Sequence, residues 1–248
     1  MLSKGANPAI RFPQVSMRIL VVQNFEKTGL GQIGRALGEA GAEVETVMAH
    51  RGEGLPDGPG GHDGLIVLGG GQNALDDENH PYLPKLAGLM RDFALADRAV
   101  LGVCLGSQLL ARGMGATNLI GAAPEFGWRE VRLTAEGQAD PVLRAVPEAF
   151  PIFQWHDDTF SLPAGAIRLA GNEAAENQAF RVGRAGYGVQ FHFEADRGLV
   201  RQWNADFSDY LAQRQPGWPE RFEAEAARNG PAADAAGIAI ARAWVAMV

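Results

Sequence analysis

Three short, unbroken apolar runs constrain the fold of this chain most: Ile19–Val22, Leu65–Leu68 and Ala99–Val103. None alternates polar with apolar, and none is long enough to make a packed helix. Each therefore reads as a strand buried on both faces, the kind found in parallel sheets. The segments between them have helical spacing. Ile33 and Leu37 lie four apart within 29–40, and Leu86, Leu89, Met90 and Phe93 repeat along 83–96. A further helix is expected over 106–113, directly after the third run. Strands alternating with helices predict an α/β fold, a three-layer sandwich whose central sheet is mostly parallel with helices on both faces.

The second half changes pattern. Arg129–Leu133, Ile152–Trp155, Ile167–Ala170, Ala179–Val182 and Tyr187–Phe193 are short strand-like runs separated by turns. They predict a small antiparallel addition at one sheet edge, then a return to the central sheet. From Arg197 onward Ala, Glu and Arg dominate, as in a helical C-terminal tail. Breaks are expected near Pro216–Pro219 and near Gly230–Pro231. Residues 1–16 read as an arm and 17–248 as one domain, with 197–248 its helical extension. A content of 46% hydrophobic and 21% charged residues is that of a folded protein rather than a disordered one. A net charge of −7 lacks the basic footprint of a nucleic-acid binder. The apolar runs are too short to cross a bilayer. With one cysteine in the chain, no intramolecular disulfide can form, which suits a cytoplasmic protein.

That cysteine sits in Gly102-Val103-Cys104-Leu105-Gly106, where a buried strand gives way to a helix. This is a nucleophile elbow with Cys in place of Ser. A tight turn exposes the side chain, and glycines on either side remove Cβ atoms that would clash. The helix N-terminus behind the sulfur favours thiolate. The N–H of Leu105 can stabilise an oxyanion. Taken alone, a free cysteine is more often a small buried hydrophobe. Two glycines in register at such a junction favour the nucleophile. Of the five histidines, His50, His62 and His80 fall in loop-like, solvated stretches. His192 ends an apparent alternating strand, two residues before Glu194, so the two side chains would share a face. Glu194 could then orient the imidazole as a base for Cys104. Without the elbow, a core histidine beside a surface carboxylate would be the better reading.

Gly102–Gln108 (GVCLGSQ) and Gly188–Glu194 (GVQFHFE), with Leu68-Gly69-Gly70-Gly71 before them, resemble the class I glutamine amidotransferases, the triad glutaminases, over about residues 17–194. Similarity is greatest to the stand-alone type related to the amidotransferase half of GMP synthase. The resemblance implies Cys104 as nucleophile, His192 as base, Glu194 as orienting acid, and the N–H groups of Gly70 and Leu105 as oxyanion donors. It implies that Gln108 and Gly71 border the substrate, Gly71 standing where the family often has proline. Trp155, His156 and Asp158 match a segment lining the glutamine pocket, although Asp158 could equally end a strand in an Asx turn. The implied reaction passes through a γ-glutamyl thioester and needs neither metal nor cofactor. The substrate would be glutamine or another γ-glutamyl amide, with a synthase as a possible partner. A free-standing γ-glutamyl peptide hydrolase or transferase with the same three residues, and a catalytically quiet binding protein, are the competing readings.

Gly29-Leu30-Gly31-Gln32-Ile33-Gly34 also matches the G-x-G-x-x-G of dinucleotide sites. Five residues, Asn24–Thr28, separate it from the first strand, whereas in a true fingerprint the glycines form the turn itself. Among 32 glycines a chance match is expected.

Overall fold

A computed structural model describes residues 16–248. The arm expected over 1–16 lies, apart from Ser16, outside the described residues. Four parallel strands carry the first half: β1 (Arg18–Gln23), β2 (Glu43–Met48), β3 (Gly64–Val67) and β4 (Ala99–Val103). They alternate with α1 (Gly31–Glu39), α2 (Leu83–Leu95) and α3 (Leu105–Gly113). After a short β5 (Asn118–Leu119) the chain forms β6 (Glu125–Leu133), the short α4 (Ala135–Ala139), β7 (Ala149–His156) and β8 (Thr159–Phe160). Next come β9 (Ile167–Gly171), β10 (Ala179–Val182) and β11 (Gly186–Val189). Three helices close the chain: α5 (Arg197–Asp206), α6 (Ser208–Arg214) and α7 (Trp218–Val245).

Among the described residues, nine strands form one sheet in the order β2-β1-β3-β4-β11-β10-β9-β6-β7, and β5 pairs with β8 alone. Pairing is parallel from β2 through to β11 and antiparallel from β11 to β7. The expected antiparallel addition and return to the centre are therefore both present. The apolar runs serve both layers at once. Ile19 and Val21 join the core under α1 and α7, while Leu20 and Val22 join the core under α2 and α3. Alternate residues of a strand point to opposite faces, so a strand between two helical layers must be apolar throughout.

Two expectations need correction. The strand expected over Tyr187–Phe193 stops at Val189. Gln190 N–H still bonds Gln178 O in register with β10, and beyond it the backbone leaves the ladder, His192 N–H donating to Phe153 O, each at 2.8 Å. His192 and Glu194 thus sit on a turn, not on a strand. The break expected at Gly230–Pro231 is absent, since α7 runs through both residues. Proline removes one helical hydrogen bond, but tertiary contacts bridge the gap. Arg197 lies across Gly230, where a Cβ would collide with its side chain. Its Nε then reaches Asp234 at 2.6 Å. The break near Pro216 is real, with Gly217 at φ 76° heading α7.

Candidate active site

Cys104 is the junction between β4 and α3, with backbone angles φ 53° and ψ −109°. A positive φ is costly for a non-glycine residue and persists only where the surroundings enforce it. The enforcing contacts are visible. Cys104 N–H donates to Val189 O at 2.8 Å, which ties the turn to β11. Its carbonyl accepts from Ser107 N–H (2.9 Å) and Ser107 Oγ (2.7 Å), so the helix starts at once. A Cβ on Gly102 would strike the Gly106 carbonyl, and one on Gly106 would strike Val67 O. The elbow needs both glycines because its turn and its packing on β3 leave no room. Leu105 is the first residue of α3, so its N–H has no acceptor within the helix.

The Cys104–Val189 bond also sets the distance to the next residues. From Val189 the chain runs three residues to His192, whose Nδ1 lies 2.7 Å from Glu194 Oε1. Cys104, His192 and Glu194 are 6%, 5% and 3% exposed, so the three groups interact out of bulk water. A Cβ on Gly69 would lie 3.3 Å from His192 Cε1 and 3.5 Å from Cys104 Cβ, which puts all three residues in one cluster. Burial disfavours a charged imidazole. The Glu194 carboxylate and then the Cys104 sulfur outweigh that effect, through charge and hydrogen bonding, and hold His192 well above its ordinary value. Trp203 packs edge-on against the ring at 5.3 Å.

The turn holding Glu194 is fixed from both sides. On one side Asp196 caps α5, accepting from Leu199 N–H at 2.8 Å. On the other, the N-terminus of α1 takes the carbonyls of the turn: Gln32 N–H donates to Glu194 O (2.9 Å) and Gln32 Nε2 to Phe193 O (3.1 Å). Gly31, at φ 46°, passes so close that a Cβ would collide with Glu194 O. The helix end that a dinucleotide pyrophosphate would need is therefore filled by the protein's own chain. Glu45, where a ribose partner would be sought, faces His62 Nε2 at 2.9 Å. His62 is itself buried rather than solvated.

The cluster opens onto a cavity of about 520 Å³. Every sequence-expected residue except Glu194 borders it: Gly70, Gly71, Cys104, Leu105, Gln108, Trp155, His156, Asp158 and His192. Glu194 stands behind the imidazole. Gly70 touches Leu105, since a Cβ there would lie 2.9 Å from its Cδ2. A Cβ on Gly71 would meet nothing, and the loop is pinned instead by Gln72, whose Nε2 donates to Tyr82 Oη at 2.6 Å. Gln108 Nε2 is 3.3 Å from Gln190 Oε1. The Trp155 carbonyl lies 3.8 Å from Cys104 Sγ. Both His156 nitrogens face protein, Nδ1 donating to Asp158 O (3.1 Å) and Nε2 lying 3.2 Å from Glu125 Oε2. One oxygen of Asp158 caps Gly121 N–H at 2.8 Å.

Sequence reasoning missed Phe25, Trp203, Phe207 and Tyr210, which line the cavity together with Thr28, Gln72, Asn73 and Asp157. Spacings of four and three along the tail relate Trp203, Phe207 and Tyr210, a signal shared with any amphipathic helix.

Known proteins resemble this chain in sequence and in fold. The model of the family "Glutamine amidotransferase class-I" matches residues 21–202. The glutamine amidotransferase-like protein YfeJ of Salmonella typhimurium is 30% identical over 71% of this chain and 77% of its own length. A glutamine-hydrolyzing GMP synthase subunit of Thermoplasma volcanium is 32% identical over 65% of this chain and 76% of its own. A crystal structure of a glutamine amidotransferase from Thermotoga maritima superimposes with a TM-score of 0.80, at 28% identity over 92% of this chain and 98% of that one. One from Methylobacillus flagellatus gives 0.82, at 27% identity over 94% and 96%. A match over most of the chain, in sequence and in fold, makes this protein an enzyme of the class I glutamine amidotransferase family.

Proposed function

We propose that the chain hydrolyses the side-chain amide of a γ-glutamyl substrate, glutamine being the smallest, with Cys104 as nucleophile, His192 as acid and base, and Glu194 orienting His192. One observation carries the assignment. Cys104 is held at a costly positive φ at the start of α3, tied through Val189 to the strand that delivers the His192–Glu194 pair.

The chemistry follows from the positions. The Cys104 sulfur forms a bond to the amide carbon, and the carbonyl oxygen becomes an oxyanion between the N–H groups of Gly70 and Leu105. His192, held protonated by Glu194, gives its proton to the nitrogen as the C–N bond breaks and ammonia leaves. Neutral His192 then takes a proton from water, which attacks the γ-glutamyl thioester. Glutamate is released and the sulfur restored. Gln108, His156 and Asp158 would border the amino-acid end, with Gly71 and Trp155 also lining the pocket. The relatives that belong to GMP synthases support a version in which the ammonia passes to a synthase on another chain.

Release of ammonia and glutamate from L-glutamine by the purified chain tests the assignment. Cys104→Ala should abolish it while the melting temperature stays within a few degrees of the parent, because only one sulfur atom is removed. A Cys104→Ala variant that still turned over would remove the nucleophile from the scheme.

A further inference from the structure

The cavity has two unlike walls. One is the glycine loop and the start of α3, through Gly70, Gly71 and Leu105. The other is aromatic: Phe25, Trp155, Trp203, Phe207 and Tyr210. These rings form a continuous strip. Trp203 lies 5.3 Å from the His192 ring, Trp155 lies 5.9 Å from Trp203, and Phe207 lies 5.3 Å from Trp155. Tyr210 follows at 6.1 Å from Trp155 and is 44% exposed. The strip thus begins against the group proposed to protonate the leaving nitrogen and runs outward to solvent. Ammonia has no use for such a wall. The concave shape also argues against a flat protein-docking patch, since a cavity of this size is what small-molecule ligands occupy.

Two cations flank the outer part of the strip: Lys27 Nζ lies 5.4 Å from the centre of the Phe207 ring, and the Arg214 guanidinium, paired to Asp157 at 3.1 Å, lies 5.9 Å from that of Tyr210. What the strip itself offers a leaving group is aromatic surface.

We propose that the strip is a subsite for the leaving amine, and that the enzyme is built for γ-glutamyl amides of ring-bearing or alkyl amines. The proposal rests on the Cys104–His192–Glu194 assignment. Cys104 Sγ bonds to the γ-carbon, the C–N bond breaks, and the amine departs with the proton from His192. Water then hydrolyses the thioester, so that amide plus water gives glutamate plus free amine, with no further reactant.

The test compares kcat/KM for γ-L-glutamyl-phenethylamide and L-glutamine. Filling an apolar subsite with a ring should favour the phenethylamide over glutamine by on the order of tenfold or more. Phe207→Ala should lower the phenethylamide-to-glutamine ratio by about tenfold. Tyr210→Ala, at an exposed position where folding is not at stake, should lower it severalfold. Glutamine turned over as well as the phenethylamide, or a ratio unmoved in both variants, overturns the subsite and leaves the three-residue assignment standing. Hydrolysis of the phenethylamide that survives Cys104→Ala would overturn the assignment and the subsite together.

Discussion

Cys104 occupies a backbone conformation that costs a non-glycine residue on the order of 1–3 kcal/mol, and the glycines at 102 and 106 serve that conformation. The pattern G-x-C-x-G could be read in the sequence because each of its positions answers a steric demand. His192 and Glu194 were readable for a different reason than expected. Two residues on a strand share a face, but the pair sits on a turn, brought together by the bonds of His192 N–H to Phe153 O and of the α1 terminus to Glu194 O. Their electrostatics make a testable pair. In the parent, Glu194 raises His192 above its ordinary 6.5. A raised folded value adds stability at pH below about 6.5, and that stability is lost as pH climbs through the raised value. In Glu194→Gln, burial is opposed by the Cys104 sulfur alone, so His192 falls from its raised value. The parent should therefore exceed Glu194→Gln in stability most at pH 6, with the gap closing toward pH 9, as read by urea denaturation. The same variant should slow turnover less than His192→Ala, which removes a proton-transfer group worth about 10²–10⁴-fold. A gap that widened with pH would reverse the sign assigned to His192.

Elements were legible in proportion to how local their causes are. The strands β1, β3 and β4 follow from burial on both faces, so their apolar runs place them within a residue or two. β11 was overextended because the chain beyond it is drawn to Phe153, a partner far away in sequence. The passage of α7 through Pro231 depends on Arg197, again a distant contact. The glycine match at 29–34 shows the same limit from the other side. Its spacing resembles a cofactor turn, yet Gly31 is there to let α1 approach the carbonyl of Glu194. Two substitutions in one helix separate local from distant roles. At Gly38 a Cβ meets nothing and the position is exposed, so Gly38→Ala should stabilise by about 0.5–1 kcal/mol through helix propensity alone. Gly31→Ala forces a side chain into Glu194 O at a positive φ, so it should destabilise by about 1–3 kcal/mol. It should also lower kcat by displacing the turn that carries Glu194. Equal behaviour of the two variants in urea melts and turnover assays would mean that the Gly31 approach has no consequence.

The whole molecule ties the tail to the centre of the sheet. Trp244, near the end of α7, is fully buried, and its Nε1 donates to Val100 O at 3.3 Å. Val100 lies in β4, the strand that ends at Cys104. Trp218 and Phe222, at the start of the same helix, pack against Trp128 on β6. α7 therefore spans from the antiparallel addition to the strand that carries the nucleophile, and the apolar core on that side is shared by both ends of the chain. Composition could suggest a helical tail but not this attachment, because alanine-rich helices carry little record of what they cover. Such sharing predicts that residues 17–248 unfold as one unit, the behaviour expected of a single domain. Far-UV circular dichroism and loss of glutamine turnover should then share one thermal midpoint. Trp244→Ala should cost about 3–5 kcal/mol, the usual penalty for emptying a buried Trp site, and should lower both midpoints together. If α7 melted first, with turnover persisting after its helical signal was gone, the tail would be an attachment rather than part of the domain.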